Sequence, residues 1–155
     1  MNTAQKTSKK SAADAGMSAE ERAAVKERSA ELRTAGQRAK GAAKAESELQ
    51  DCLDKIAAMP DHDRALAEQV HAIVTSAAPE LGPKTWYGMP AYARDGKLVC
   101  YFKPAAKFKM RYATLGFEDA ATLDDGALWP TVFAVTTIGE AEQKMITELV
   151  QKAVR

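Results

Sequence analysis

Large apolar residues are nearly missing from the first third of this chain, and then arrive in two successive rhythms. From Ala19 to Ala45 Val25 and Leu32 are the only large apolar residues in a stretch dominated by Ala, Glu, Arg and Lys. These are strong helix formers, but they leave almost no face to bury, so the spacing predicts a solvated helical arm or one held for a partner. Ser18 and Glu21 form a capping box at its start. Gly36 and Gly41 are expected to weaken or break it, each by ~1 kcal/mol relative to Ala. Beyond Glu46 a true stripe begins. Leu49, Cys52, Leu53 and Ile56 recur at i, i+3, i+4 and i+7, one face of a helix that Met59-Pro60 should end. Leu66, Val70, Ile73, Val74 and Ala77 make a second stripe, which Asp61 can cap with Asp63 in the first turn.

Pro79 to Pro83 reads as loop. The period then changes from 3.6 to 2. The stretches 91–94 and 97–103 flank Asp95-Gly96, the favoured pair for a two-residue type I′ turn, and predict a hairpin. Lys107 to Tyr112 alternates strictly and predicts a strand continuing to Leu115. An acidic loop should follow from Gly116 to Gly126, then a β-branched strand over 131–136. Thr137 to Glu140 reads as a second capping box, opening a helix with Ile138, Ala141, Met145, Ile146, Leu149, Val150 and Ala153 on one stripe. Helices, then an antiparallel meander, then a helix predict an α+β two-layer sandwich. Its sheet would have four to five strands, covered on one face by helices. The expected organisation is a disordered tail over 1–17, a polar helical arm over 18–45 and one domain over 46–155.

Composition refines this picture without redirecting it. All the aromatics, 6% of 155 residues, lie between Trp86 and Phe133, so the core must form there. A net charge of +1 supplies no global pull toward nucleic acid or an anionic membrane. No stretch approaches the ~20 apolar residues of a membrane span, and the N-terminus lacks the apolar run of a secretory signal. The expected compartment is the cytoplasm. Cys52 and Cys100 match no metal spacing and read as buried thiols in a reducing compartment. His62 and His71 are too far apart in sequence to share one helical face at i,i+4. Asp61, His62 and Asp63 point ~100° apart at a helix start, which favours capping over metal binding.

Alternation assigns the strand faces. Leu98, Cys100, Phe102, Phe108, Met110 and Tyr112 should face the helices. Val99, Tyr101, Lys103, Lys107, Lys109 and Arg111 should look out from the open face as a basic field. That field is either a solvated surface or a docking site for an anionic partner, an acidic protein, a phosphate or RNA. One exposed aromatic, Tyr101, disfavours nucleic acid. Trp86, Tyr87, Met89 and Trp129 border Gly and Pro in loops, and either line a small-ligand or protein pocket or plug the ends of the sandwich. No Ser-His-Asp set, phosphate loop or convergent His/Cys set suggests an enzyme.

The run Trp86-Tyr87-Gly88-Met89-Pro90-Ala91-Tyr92, with Asp95-Gly96-Lys97, Tyr101-Phe102 and Lys107-Phe108, resembles the YdhG-like family of small bacterial proteins. The runs 111–117 and 123–131 are similar to one branch of it. The resemblance covers about residues 48–155 and implies a frataxin-like fold and a chaperone-like role in iron binding and delivery, with partner docking through the open sheet face. Iron held by such proteins sits on carboxylate oxygens. The acidic cluster available for weak iron binding is Glu118, Asp119, Asp124 and Asp125.

Overall fold

The computed structural model describes residues 18–155; the tail expected over 1–17 lies outside them. The chain divides between Ala43 and Lys44 into two units. Helix α1 (Ala19–Ala57) runs through that division without a break. Gly36 and Gly41, expected to interrupt it, have open space where a side chain would be. The missing methyls lower helix propensity by ~1 kcal/mol each, too little to break a helix of Ala, Glu, Lys and Arg. In the first unit Val25 and Leu32 stay exposed, at 52% and 57%. The capping box expected at Ser18 falls on the Glu21 side chain, outside the described residues. The backbone there closes a first turn, Arg22 N–H to Ser18 O at 3.0 Å.

The second unit is an α+β sandwich. Its elements are the end of α1, α2 (Asp61–Ala77), β1 (Gly82–Trp86), β2 (Met89–Arg94), β3 (Lys97–Lys103), β4 (Ala113–Phe117), β5 (Val132–Val135) and α3 (Glu140–Ala153). The strands form one antiparallel sheet in the order β1-β2-β3-β4-β5, so β3 is central and β1 and β5 are its edges. Residues directly paired across strands share a face. Tyr92, Cys100 and Phe117 pair along one row, and Phe102, Leu115 and Phe133 along another. Except for half-buried Phe133, these residues are at most 4% exposed, and they join Leu66, Val70, Val74, Ile146 and Val150 of α2 and α3 in a single core. Cys52 and Ile56 of α1 belong to the same core.

Several elements differ from expectation for identifiable reasons. Asp61 does not cap α2; Pro60 precedes it with no side-chain cap, and Asp61 pairs with Arg64 at 2.8 Å instead. Pro83 lies inside β1 rather than in a loop, because an edge strand tolerates a residue with no N–H. Trp86 and Met89 close a second tight hairpin through Tyr87 and Gly88, whose φ values of 49° and 72° match a type I′ turn, as do 53° and 77° at Asp95 and Gly96. The strand expected from Lys107 is absent. Residues 104–112 form turns, and the strand begins at Ala113 and reaches Phe117. Phe108 and Met110 are therefore 37% and 42% exposed rather than core. The helix cap lies two residues later than expected: Glu142 Oε2 accepts the Gly139 N–H at 3.2 Å. On α3 only Ile146, Val150 and Ala153 are buried, while Ala141 is exposed and Met145 is 59% exposed.

Two polar ties close the sandwich. Arg94 Nη1 donates to Val154 O at 2.7 Å, and the Thr122 N–H donates to Ala153 O at 3.0 Å. Both satisfy carbonyls near the end of α3 that the helix leaves unpaired.

Candidate functional site

The face of the sheet turned away from the core follows from the same register. Ala91, Tyr101, Gly116 and Val132 pair across it in one row, with Lys103, Thr114 and Ala134 in the next. Trp86 pairs with Met89, two residues from Ala91, and so lies on this face too. At its centre the Tyr101 ring lies directly over Gly116; a methyl group on Gly116 would overlap it. Gly116 is thus the gap that lets an aromatic ring lie flat on the sheet. The ring centroid of Trp86 is 5.2 Å from that of Tyr101, and 5.0 Å from that of Tyr87 in an edge-on arrangement. Tyr87 itself is 79% exposed. The result is a contiguous aromatic strip, Tyr87-Trp86-Tyr101, reaching from the β1–β2 turn to the middle of the sheet.

Charges surround the strip. Lys84 on β1 reaches Glu48 of α1 at 4.0 Å, a marginal ion pair. Burial, with the Glu118 carboxylate nearby, raises the Tyr101 phenol above its ordinary value. Lys107 Nζ donates to Tyr87 O at 3.2 Å, fastening the 104–112 loop to the hairpin turn. Phe108 lies between two ammonium groups, with Lys103 Nζ at 4.8 Å and Lys107 Nζ at 5.5 Å from its centroid. That geometry is cation–π, and it explains how Phe108 stays at the surface. Lys109 takes φ 53° and is exposed; Arg111 is exposed over the Tyr112 ring at 5.4 Å. The basic residues expected on the outer face of a strand therefore come mostly from a loop at its margin.

That loop is anchored from below. Asp63 is 3% exposed, and its two carboxylate oxygens accept the N–H groups of Ala105 and Ala106, each at 3.0 Å. It also stands in the first turn of α2, where the helix dipole favours an anion. The carboxylate binds backbone donors, the role a capping residue has, but for a different segment of chain.

Other expected site residues fall elsewhere. Val99 is 1% exposed and belongs to the core: the pairing of β2 with β3 shifts there, Tyr92 with Cys100 and Ala93 with Leu98, so Val99 is a bulged residue whose side chain simple alternation misplaces. Met89 is buried at 6% and offers no ligand surface. Trp129 precedes β5, at the opposite edge of the sheet from Trp86 on β1, so the four residues expected to line one pocket do not converge. Trp129 lines a separate groove with Phe133, Met145 and Leu149. Glu118, Asp119, Asp124 and Asp125 lie in the loop after β4. Among the described residues no three His, Cys, Asp or Glu side chains group as metal ligands.

The buried titratable groups form a different cluster. The Tyr92 hydroxyl lies 2.9 Å from His71 Nδ1. Burial pushes the Cys52 thiol up to about 11 and the Cys100 thiol up to about 12, raises Tyr92 and lowers His71. Each shift favours the neutral form, as a packed interior requires.

Sequence reasoning missed Gly116 and the Tyr87-Gly88 turn. The signal for the turn was present: Tyr-Gly between two extended pairs, directly before Met-Pro. Gly116 carried no signal, since its partner stands on another strand. No protein-family model, curated protein or solved structure matches the chain. No described helix is long and apolar enough to cross a membrane.

Proposed function

We propose that the unit 44–155 is a non-catalytic binding module that docks a protein partner on its open sheet face. The Tyr87-Trp86-Tyr101 strip would serve as its anchor. The observation that carries this reading is the Tyr101 ring lying over Gly116 against Trp86. Aromatics held rigidly in a partly exposed patch lose little conformational freedom on binding, and such residues dominate protein interfaces. Lys103, Lys107, Lys109 and Arg111 form the polar rim and favour a partner segment with acidic residues. Glu118 beside Tyr101 disfavours a phosphate chain at the centre of the patch, so a protein suits it better than RNA. The resemblance to the YdhG-like family agrees with this reading, because frataxin-like folds dock through the same sheet face. Buried, protonated thiols add support for binding rather than nucleophilic chemistry.

A photo-crosslinking residue placed at Tyr87 tests this. In cells that make the protein, discrete protein adducts are expected, reduced when Tyr101 is changed to Ser. Adducts to RNA alone, or none above those from the same probe at Leu128, refute the proposal.

A further inference from the structure

The two edges of the sheet are built differently. β1 carries Pro83 and Lys84, residues that block strand addition. β5 carries neither; from Gly126 to Gly139 the chain holds no charged residue. The Phe117 N–H donates to Thr131 O at 2.8 Å, so the backbone groups of Thr131, Phe133 and Val135 point toward β4. Strand alternation then turns the N–H and C=O groups of Val132 and Ala134 outward, along the free edge. Both residues are exposed. Beside this edge an apolar groove runs between β5 and α3, with Phe133, Met145 and Leu149 along its whole length, and cavities of about 220 and 310 Å³ at its two ends. Glu142 stands at one end, Lys152 and Asp125 at the other.

We propose that β5 pairs antiparallel with β5 of a second copy of this chain, across a twofold axis at Phe133, joining two sheets into one. The edge is self-complementary. With the axis at Phe133, Val132 of each copy stands opposite Ala134 of the other, and their outward N–H and C=O groups bond reciprocally. The two Phe133 side chains meet as a non-hydrogen-bonded pair, the closer of the two pair types, beside the Met145 and Leu149 walls. The antiparallel arrangement sets the Glu142 end of one groove against the end of the other that carries Lys152 and Asp125, so Lys152 is the cation available to Glu142 and Asp125 offsets part of that attraction. Because the strand has no charge, like charges do not meet along it. This interface is separate from the open sheet face and does not depend on its function.

Sedimentation velocity on the full chain from ~1 µM to ~500 µM, with hydrogen exchange at the two extremes, tests the proposal. Wild type is expected to reach twice the chain mass as concentration rises, with the Val132 and Ala134 amides becoming protected in step. Val132→Lys places a charge at an exposed edge position and is expected to raise the dissociation constant at least ~10-fold, with the melting temperature unchanged at the lowest concentration, where wild type is also monomeric. Met145→Glu, on the groove wall, is expected to act the same way. A monomer at every concentration overturns the proposal. So does a dimer that both variants keep, which would assemble through another surface such as α1, or edge amides that stay unprotected. Binding of an extended peptide at this edge by a monomeric wild type also overturns it, in favour of strand addition by a different chain.

Discussion

Tyr101 lies across Gly116 on the neighbouring strand, so closely that a side chain on Gly116 would have to displace the ring. The atoms that would collide are the far end of a side chain with two rotatable bonds. The ring can swing away, so Gly116→Ala is expected to lower stability by only about 1 kcal/mol, the low end for overpacking. Its larger effect should be on the aromatic strip. Trp86 loses its neighbour, and its fluorescence should shift toward that of a solvated indole. A variant with unchanged Trp86 emission would separate the ring's position from the glycine.

Asp63 holds the 104–112 loop through two backbone donors. Asp63→Ala leaves both N–H groups without an acceptor in a site only 3% exposed. The expected loss is about 3 kcal/mol, measured by urea unfolding. Asp63→Asn keeps one acceptor and should lose less. In both variants the Ala105 and Ala106 amides should exchange faster, a readout that a general loss of stability would not confine to this loop.

Tyr87 holds φ 49°, a turn position where Asn is easier to accommodate. Its ring is 79% exposed and adds little to the core. Tyr87→Asn is therefore expected to raise stability by roughly 0.5–1 kcal/mol, less whatever the edge-on contact with Trp86 contributes. The same change should reduce crosslinking and partner binding. Thermal melting checks the first expectation; a lowered melting temperature would show that the Trp86 contact outweighs the backbone strain.

His71 has its pKa lowered by burial, and the neutral ring can accept the Tyr92 O–H at 2.9 Å. The unfolded chain therefore binds a proton at a higher pH than the folded one does. The contribution of neutral His71 is present in full above the unfolded value of 6.5 and is lost as pH falls below it toward the folded value. Melting temperature should drop between about pH 7.5 and pH 5, and His71→Gln should flatten that part of the profile. A profile identical to wild type would assign the pH dependence to other groups.

Where a single element announced itself locally, the sequence was enough. The Asp95-Gly96 hairpin, the stripe from Leu66 to Val74 and the α+β layering all follow from turn chemistry and periodicity, which act over a few residues. Alternation failed at Lys107–Tyr112. The pattern is genuinely strand-like, but Asp63, more than forty positions earlier, captures the backbone donors of Ala105 and Ala106 and holds the segment in turns. For the same reason Phe108 and Met110 read as core and are not. Trp86, Tyr87, Tyr101 and Lys103 could be singled out from sequence as surface candidates. That Trp86 touches Tyr101, that Gly116 makes room for it and that Trp129 stands at the far edge were decided by strand order and register alone. Local propensity sets what each segment can become. Which residues meet across a sheet depends on pairings between distant segments, and these are chosen by burying one continuous core rather than by any segment's own pattern.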